Sequence, residues 1–97
     1  IPTPDVIIEE SARSLQLSGA DLRGQSRNKK TAMARQIAMY LMRNLTNLPL
    51  KEIGEEFGGR NHATVLSSIR KVEELLKSDP DISATVRDIT SNINSKN

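Results

Sequence analysis

The stretch LKEIGEEFGGRNHATVLSSIRKVEELLK, residues 50–77, decides the fold. Apolar residues repeat in it with the helical period on both sides of a Gly-Gly pair, at Leu50, Ile53 and Phe57 and then at Val65, Ile69, Val72 and Leu76. Gly58 and Gly59 can end the first helix, because glycine adopts the left-handed conformation without a Cβ clash. Asn61 can cap the second helix. The pattern therefore predicts a helix over 50–57, a tight turn and a helix over 61–77, which together form a helix-turn-helix.

The helical period continues outside this motif. A hydroxyl, a proline and an acid at residues 3–5 predict the start of a helix running to about residue 16. Ser18 and Asp21 match a capping box, which predicts a short helix over about 19–23. Apolar stripes predict a long helix over 30–45 and a last helix that includes 82–93. No segment has the period of a strand, so the predicted class is all-α, a compact bundle of about six helices.

Length and composition limit the remaining choices. The 97 residues are enough for one domain, expected to span 1–97, and a first residue other than Met suggests a domain excised from a larger protein. The chain has no cysteine and one histidine, so we expect no disulfide, no thiolate nucleophile and no metal site. No apolar run is long enough to span a membrane and no leader opens the chain, which predicts a soluble intracellular protein.

Positive charge is concentrated in one part of the sequence. The net charge is +2, but residues 22–51 contain seven basic side chains and no acid, namely Arg23, Arg27, Lys29, Lys30, Arg35, Arg43 and Lys51. Such a segment can neutralise phosphates and release counterions, which supplies most of the sequence-independent affinity for DNA. It includes an exposed basic loop predicted over 24–29. The same composition is also found on ordinary solvated surfaces.

The first turn of the predicted second helix suits the reading of base edges. Its residues are polar or small: Asn61 can donate and accept, His62 can do either, and Ala63 and Thr64 carry methyl groups for a thymine methyl. Arg60 precedes them at the positive end of the helix dipole, where it would attract phosphate. Helix-turn-helix geometry also occurs in proteins that never bind DNA, so this spacing alone leaves both interpretations open.

Three segments resemble a known family: RNKK at 27–30, QIAMYL at 36–41 and IGEEFGGRNHATV at 53–65. They are similar to the C-terminal DNA-binding domain of DnaA, the bacterial chromosomal replication initiator, and the resemblance covers nearly the whole chain in order. It implies an all-helical domain that binds short asymmetric boxes in double-stranded DNA at the replication origin. By this function the domain takes part in initiating bacterial chromosome replication.

The resemblance also implies which residues contact DNA. Major-groove base contacts are expected at Asn61, His62, Ala63 and Thr64, and a minor-groove contact at Arg27. Phosphate contacts are expected at Lys29, Arg35, Gln36, Arg43, Asn47 and Arg60. The family usually carries Asp where this chain has Asn61, and Thr where it has Ala63, which leaves the preferred box open.

No catalytic residue, no metal and no cofactor is expected in this domain, while ATP is implied for the full-length protein, whose nucleotide-binding module lies upstream. The implied partners are double-stranded DNA and regulatory proteins of replication initiation. The isolated domain is expected to be monomeric. Its expected location is the bacterial cytoplasm, in association with the nucleoid.

The same residues also allow three other functions to be considered. An enzyme would need His62 paired with Glu55 or Glu56 for acid-base chemistry, but the chain has no G-x-S-x-G motif and no phosphate-binding loop. A helical protein-interaction domain would dock the basic surface over 23–51 on an acidic partner. The basic helix over 30–45 has the charge to lie on an anionic membrane, but its apolar stripe is needed for the core.

Overall fold

Six helices form in the computed structural model, which describes residues 1–96. They are α1 Pro4–Ser14, α2 Gly19–Arg23, α3 Lys29–Leu45, α4 Leu50–Glu56, α5 His62–Ser78 and α6 Pro80–Ser95. No strand occurs within residues 1–96. The predicted all-α class, with about six helices and a helix-turn-helix, is confirmed, and the last residue of the predicted domain, Asn97, lies outside the described residues.

Side-chain oxygens cap α1 and α2 where the sequence indicated, and α3 at Asn28, which the sequence analysis placed inside the loop. The Thr3 hydroxyl caps α1, and the Asn28 side chain accepts from two amides in the first turn of α3 at 3.0 and 3.3 Å. In the capping box of α2, the Ser18 amide donates to the Asp21 carboxylate at 2.9 Å and the Asp21 amide donates to the Ser18 hydroxyl at 3.2 Å. The bond from the Ser18 backbone amide is the main cause that holds the pKa of Asp21 below its usual value, and the Ser18 side chain lowers it further.

Several helix boundaries differ from the prediction. Helix α1 ends at Ser14 because Gln16 takes a left-handed φ of 61°, a position more often held by glycine. Helix α3 begins at Lys29 because Asn28 is its cap, so the basic loop is one residue shorter than predicted and spans 24–28. Helix α6 begins at Pro80, where proline suits the first helical position.

Helix α3 lies at the centre of the bundle. It packs against α1, α2, α4 and α5, while α6 packs against α1 and α5. The predicted stripe of α3 is buried at Ala34, Ile37, Ala38 and Leu41, and Leu45 is half-buried. The core is otherwise aliphatic except for Phe57, which is fully buried. Full burial of a large apolar side chain such as Ile37 or Phe57 contributes about 1.5–3 kcal/mol to the stability of the fold.

The turn between α4 and α5 is tight because two glycines allow close approach of the backbone. The Gly54 carbonyl accepts hydrogen bonds from the amides of Phe57, Gly59 and Arg60 at 3.0–3.1 Å. A Cβ at Gly54 would overlap the Arg60 carbonyl oxygen. Gly58 has a φ of 78°, a conformation that disfavours other residues. The turn thereby sets the angle at which α5 leaves α4.

Candidate nucleic-acid interface

The first turn of α5 presents a continuous exposed surface. Asn61, His62, Ala63 and Thr64 are all exposed, whereas the next residue, Val65, is fully buried and anchors the helix in the core. The Asn61 side-chain oxygen accepts from the Thr64 amide at 2.9 Å. The cap thus uses the oxygen of Asn61, so its NH2 group is the one available to donate. The structure brings together all four predicted major-groove residues.

A shallow concavity lies beside this turn and extends to two residues, Lys51 and Glu55, that were not among the expected DNA contacts. It is lined by Lys51, Glu55, Gly59, Arg60, Asn61 and His62. Lys51 and Glu55 are exposed and four residues apart on α4, which puts them on one face of that helix. This spacing of four residues is the sequence signal from which their shared face could have been predicted. Glu55 and His62 line the same concavity, but no hydrogen bond or ion pair joins them within residues 1–96, and so the structure gives no support to an acid-base pair.

The basic loop over 24–28 carries an exposed Arg27. The loop is ordered locally by a bond from the Asn28 amide to the Ser26 hydroxyl at 3.2 Å. Lys29 and Lys30 follow directly in the first turn of α3 and are also exposed. Three cations therefore lie close together in the chain with their side chains in solvent, as the sequence predicted for the two within the loop over 24–29.

Arg35 does not lie where a phosphate contact would require. Only 7% of its surface is exposed, and its guanidinium donates to four backbone carbonyls. Its Nε donates to Leu22 at 2.8 Å, Nη1 to Ser26 at 3.1 Å, and Nη2 to Gly24 at 3.1 Å and Asp21 at 3.4 Å. Position 35 of α3 faces the end of α2 and the basic loop, so the side chain is turned into the protein. The buried position of Arg35 therefore gives no support to the phosphate contact expected there.

Arg60 is half-buried and also bonds to the protein backbone. Its Nη2 donates to the Gly24 carbonyl at 2.7 Å and its Nη1 to the Phe57 carbonyl. Burial lowers the pKa of both Arg35 and Arg60, and the charge of Arg60 lowers the pKa of Arg35 further. Both stay protonated at neutral pH, because arginine does not lose its proton in proteins. These bonds leave only part of the Arg60 guanidinium for a DNA phosphate.

Comparison with known protein families decides the assignment. The family model described as the bacterial dnaA protein helix-turn-helix matches residues 4–72, which include the basic loop and the first turn of α5. The chain belongs to the bacterial DnaA family. Because the match is to the helix-turn-helix part of DnaA, the chain is a DNA-binding domain rather than a catalytic one.

Individual DnaA proteins agree with this assignment. The chain is similar to the chromosomal replication initiator protein DnaA of Crocosphaera subtropica, with 46% identity over 92 residues. Identity is 47% over 91 residues with that of Picosynechococcus sp. and 48% over 90 residues with that of Leifsonia xyli. These alignments cover 93–95% of this chain and 19–20% of each relative. The chain thus spans about a fifth of the length of these DnaA proteins.

The basic segment of this DnaA domain divides into two groups. Arg23 pairs with Asp5 of α1 at 2.6 Å, and Arg35 is buried. Five basic side chains remain exposed, namely Arg27, Lys29, Lys30, Arg43 and Lys51. Of the other predicted phosphate-contacting residues, Asn47 is exposed and Gln36 is half-buried. Most of the predicted positive surface is therefore accessible.

The described part of the DnaA domain holds neither a membrane-spanning helix nor a cluster of metal ligands. None of its helices has the length and hydropathy needed to cross a bilayer. Within residues 1–96, no three His, Cys, Asp or Glu side chains come together in a way that would hold a metal ion.

Proposed function

We propose that this domain binds double-stranded DNA at replication-origin boxes in the initiation of bacterial chromosome replication. The first turn of α5 enters the major groove and reads base edges. The observation that carries this proposal is the run of four exposed residues, Asn61 to Thr64, on a helix anchored by the buried Val65. Short polar or small side chains let the backbone of a helix approach base edges closely, which long surface side chains would prevent.

Each residue of the run has a distinct chemistry toward bases. The Asn61 NH2 can donate to an acceptor on a base edge, because its oxygen is used in the helix cap. The His62 ring can donate or accept. The methyl groups of Ala63 and Thr64 can contact the methyl group of thymine, which distinguishes T from C in the major groove.

The basic loop supplies the second contact in this proposal. Arg27 enters the adjacent minor groove, where A·T-rich sequence narrows the groove and strengthens its negative potential. Lys29, Arg43 and Asn47 contact phosphates, together with the accessible parts of Gln36 and Arg60. Phosphate contacts position the protein, and the two groove contacts give sequence preference.

A competition experiment tests the proposed function. The 97-residue chain is bound to a fluorescent duplex that carries an origin box, and unlabelled competitors are added at a fixed moderate salt concentration. A competitor with one base pair changed in the major-groove part of the box should compete on the order of 5- to 150-fold less well than the intact box. Equal competition by intact and scrambled boxes would contradict sequence-dependent binding. Displacement by polyglutamate as effective as by DNA would favour an acidic protein partner instead.

We also propose that the isolated domain is monomeric, needs no cofactor and acts in the cytoplasm on nucleoid DNA. ATP and the regulatory proteins of replication initiation belong, in this proposal, to the full-length protein. Light scattering of the purified chain checks the monomeric state. Box binding in the presence of a metal chelator and without nucleotide checks that no cofactor is needed.

Replacement of Arg43 tests the phosphate contacts. Arg43 is exposed in the last turn of α3 and has no described ion pair. Arg43→Ala should weaken binding to box and scrambled duplexes equally, and should lower the slope of log affinity against log salt by about 1, since one fewer counterion is released. Titrations at four salt concentrations measure the slope. Loss of affinity for the box alone would mean that Arg43 contacts a base.

Replacement of Asn61 by Asp tests its contact with bases. An aspartate can keep the cap bond from the Thr64 amide, so thermal unfolding should be nearly unchanged. The carboxylate repels phosphates but can accept from a cytosine amino group, so the ratio of specific to non-specific affinity should rise. The two chains are compared on boxes that differ at that base pair only. If the ratio is the same for both, Asn61 acts only as a cap.

A further inference from the structure

One backbone carbonyl joins three elements of the fold. The carbonyl of Gly24, at the end of α2 and the start of the basic loop, accepts from Arg35 Nη2 at 3.1 Å and from Arg60 Nη2 at 2.7 Å. Arg35 belongs to α3, whereas Arg60 belongs to the turn that leads into α5. We call the two guanidiniums and this carbonyl the arginine clamp.

The arginine clamp holds the basic loop at more than one point. Arg35 Nη1 donates to the Ser26 carbonyl at 3.1 Å, and that carbonyl belongs to the peptide bond directly before Arg27. The clamp therefore fixes the backbone from which the Arg27 side chain extends.

The same clamp holds the loop against the turn that precedes α5. Arg60 Nη1 donates to the carbonyl of Phe57, so this guanidinium bridges the turn and the loop. Gly58 allows the two backbones to meet, because a Cβ there would lie 2.7 Å from the carbonyl oxygen of Arg23. The end of α2, the start of the loop and the helix-turn-helix turn are thus packed together.

The two guanidiniums of the clamp bond to backbone carbonyls instead of pairing with carboxylates. No carboxylate pairs with Arg35 or Arg60 within residues 1–96, and burial of each guanidinium penalises its charged form. Burial of unpaired charge is unfavourable unless every donor finds an acceptor, and carbonyl oxygens fill that role here. A planar guanidinium can bridge several carbonyls with fixed geometry, which an ammonium group cannot do.

We propose that Arg35 and Arg60 are positioning residues that fix the Arg27 loop relative to the first turn of α5, so that the domain reads minor and major grooves as one rigid unit. This inference rests on the proposed function. Because the loop is already ordered in the free protein, binding does not carry the entropic cost of ordering it. The Arg27 contact therefore contributes more to affinity. The clamp itself does not contact bases. Its loss should therefore weaken minor-groove preference and leave major-groove preference intact.

The variant Arg60→Lys tests the clamp because it keeps the charge. Lysine can still attract a phosphate but cannot bridge the carbonyls of Gly24 and Phe57 together. Affinities are measured for boxes with an A·T-rich or a G·C-rich minor-groove end, and for boxes with the major-groove base pair changed. Arg60→Lys should reduce the preference for the A·T-rich end on the order of tenfold, the effect of one good contact. The salt slope and the major-groove preference should stay unchanged.

A double substitution assigns the loss to Arg27. If the clamp acts through Arg27, Arg60→Lys should add little to the effect of Arg27→Ala on the preference for the A·T-rich end. The matched control is Arg87→Lys, an exposed arginine of α6 outside the clamp and outside the proposed DNA contacts, which should leave all preferences unchanged. Additive losses in the double variant, or a uniform loss on all duplexes with a lower salt slope, would overturn the proposal.

Hydrogen exchange of the free protein tests the clamp independently of DNA. In Arg60→Lys, the amides of Arg27 and Asn28 should exchange several-fold faster, while those of Ile69 and Val72 in α5 should keep their protection. Unchanged exchange in the loop would overturn the clamp. If the unmodified chain shows no box preference, the proposed function fails, and this measurement still decides whether the clamp orders the loop.

Discussion

Gly54→Ala is expected to destabilise the domain by about 3 kcal/mol, at the upper end of the effects of overpacking. A Cβ at this position would overlap the carbonyl oxygen of Arg60 and lie 3.0 Å from its carbonyl carbon. Both are backbone atoms and cannot rotate away, so the turn between α4 and α5 must open. Opening would also strain the bonds that the Gly54 carbonyl accepts from the amides of Phe57, Gly59 and Arg60.

Thermal unfolding followed by circular dichroism measures this effect. For a domain of this size, 3 kcal/mol corresponds to a Tm lower by roughly 12–24 °C. Gly19→Ala is the matched control, because the Cβ there would meet the side-chain carboxyl of Glu9, which can move aside. We expect the control to change stability by no more than about 0.5 kcal/mol. A Gly54→Ala variant with the same Tm as the unmodified chain would show that the turn tolerates a side chain.

The second large effect concerns recognition rather than folding. The double substitution of His62 and Thr64 by alanine should remove about 2–6 kcal/mol of discrimination between a box and a scrambled duplex, since each good base contact provides about 1–3 kcal/mol. Both side chains are exposed. The Asn61 side-chain oxygen accepts the cap bond from the backbone amide of Thr64, which does not involve the Thr64 hydroxyl, so the substitution leaves this bond in place.

Stability and binding are measured on the same preparation. The unfolding midpoint of the double variant should stay within a few degrees of that of the unmodified chain, since exposed side chains away from such bonds contribute little to stability. Ser91→Ala with Asn94→Ala, two exposed positions on α6, is the control and should leave discrimination unchanged. A double variant that keeps the box preference would remove the first turn of α5 from base recognition.

The parts of the fold that sequence predicted are those set by local chemistry. The helix-turn-helix was predictable because the Gly-Gly stop, the Asn61 cap and the apolar stripe of α5 all lie within a few residues of one another. The exposure of the first turn followed from its composition. Gln16 shows the limit of such signals, because a left-handed residue ends α1 where the sequence offers no glycine.

Arg35 shows why the rest was not predictable. Its charge and its place in a basic segment indicated a phosphate contact. Its four carbonyl partners lie 9 to 14 residues earlier in the chain, and only the packing of α3 against α2 brings them within reach. Charge predicts affinity for anions, but the direction of a side chain depends on tertiary contacts. Lys51 and Glu55 were not expected among the DNA contacts for the same reason, since the turn geometry places them beside His62.

The packing of α1 against α6 has a consequence for the order of folding. These two helices come from opposite ends of the described chain, and Lys96 and Glu10 meet there with 3.6 Å between Nζ and Oε2. Closing so long a loop carries an entropic cost that neighbouring helices avoid. The contacts among α3, α4 and α5 are closer in sequence and can form earlier. We therefore expect α3, α4 and α5 to assemble first, and the junction of the two ends to complete the fold.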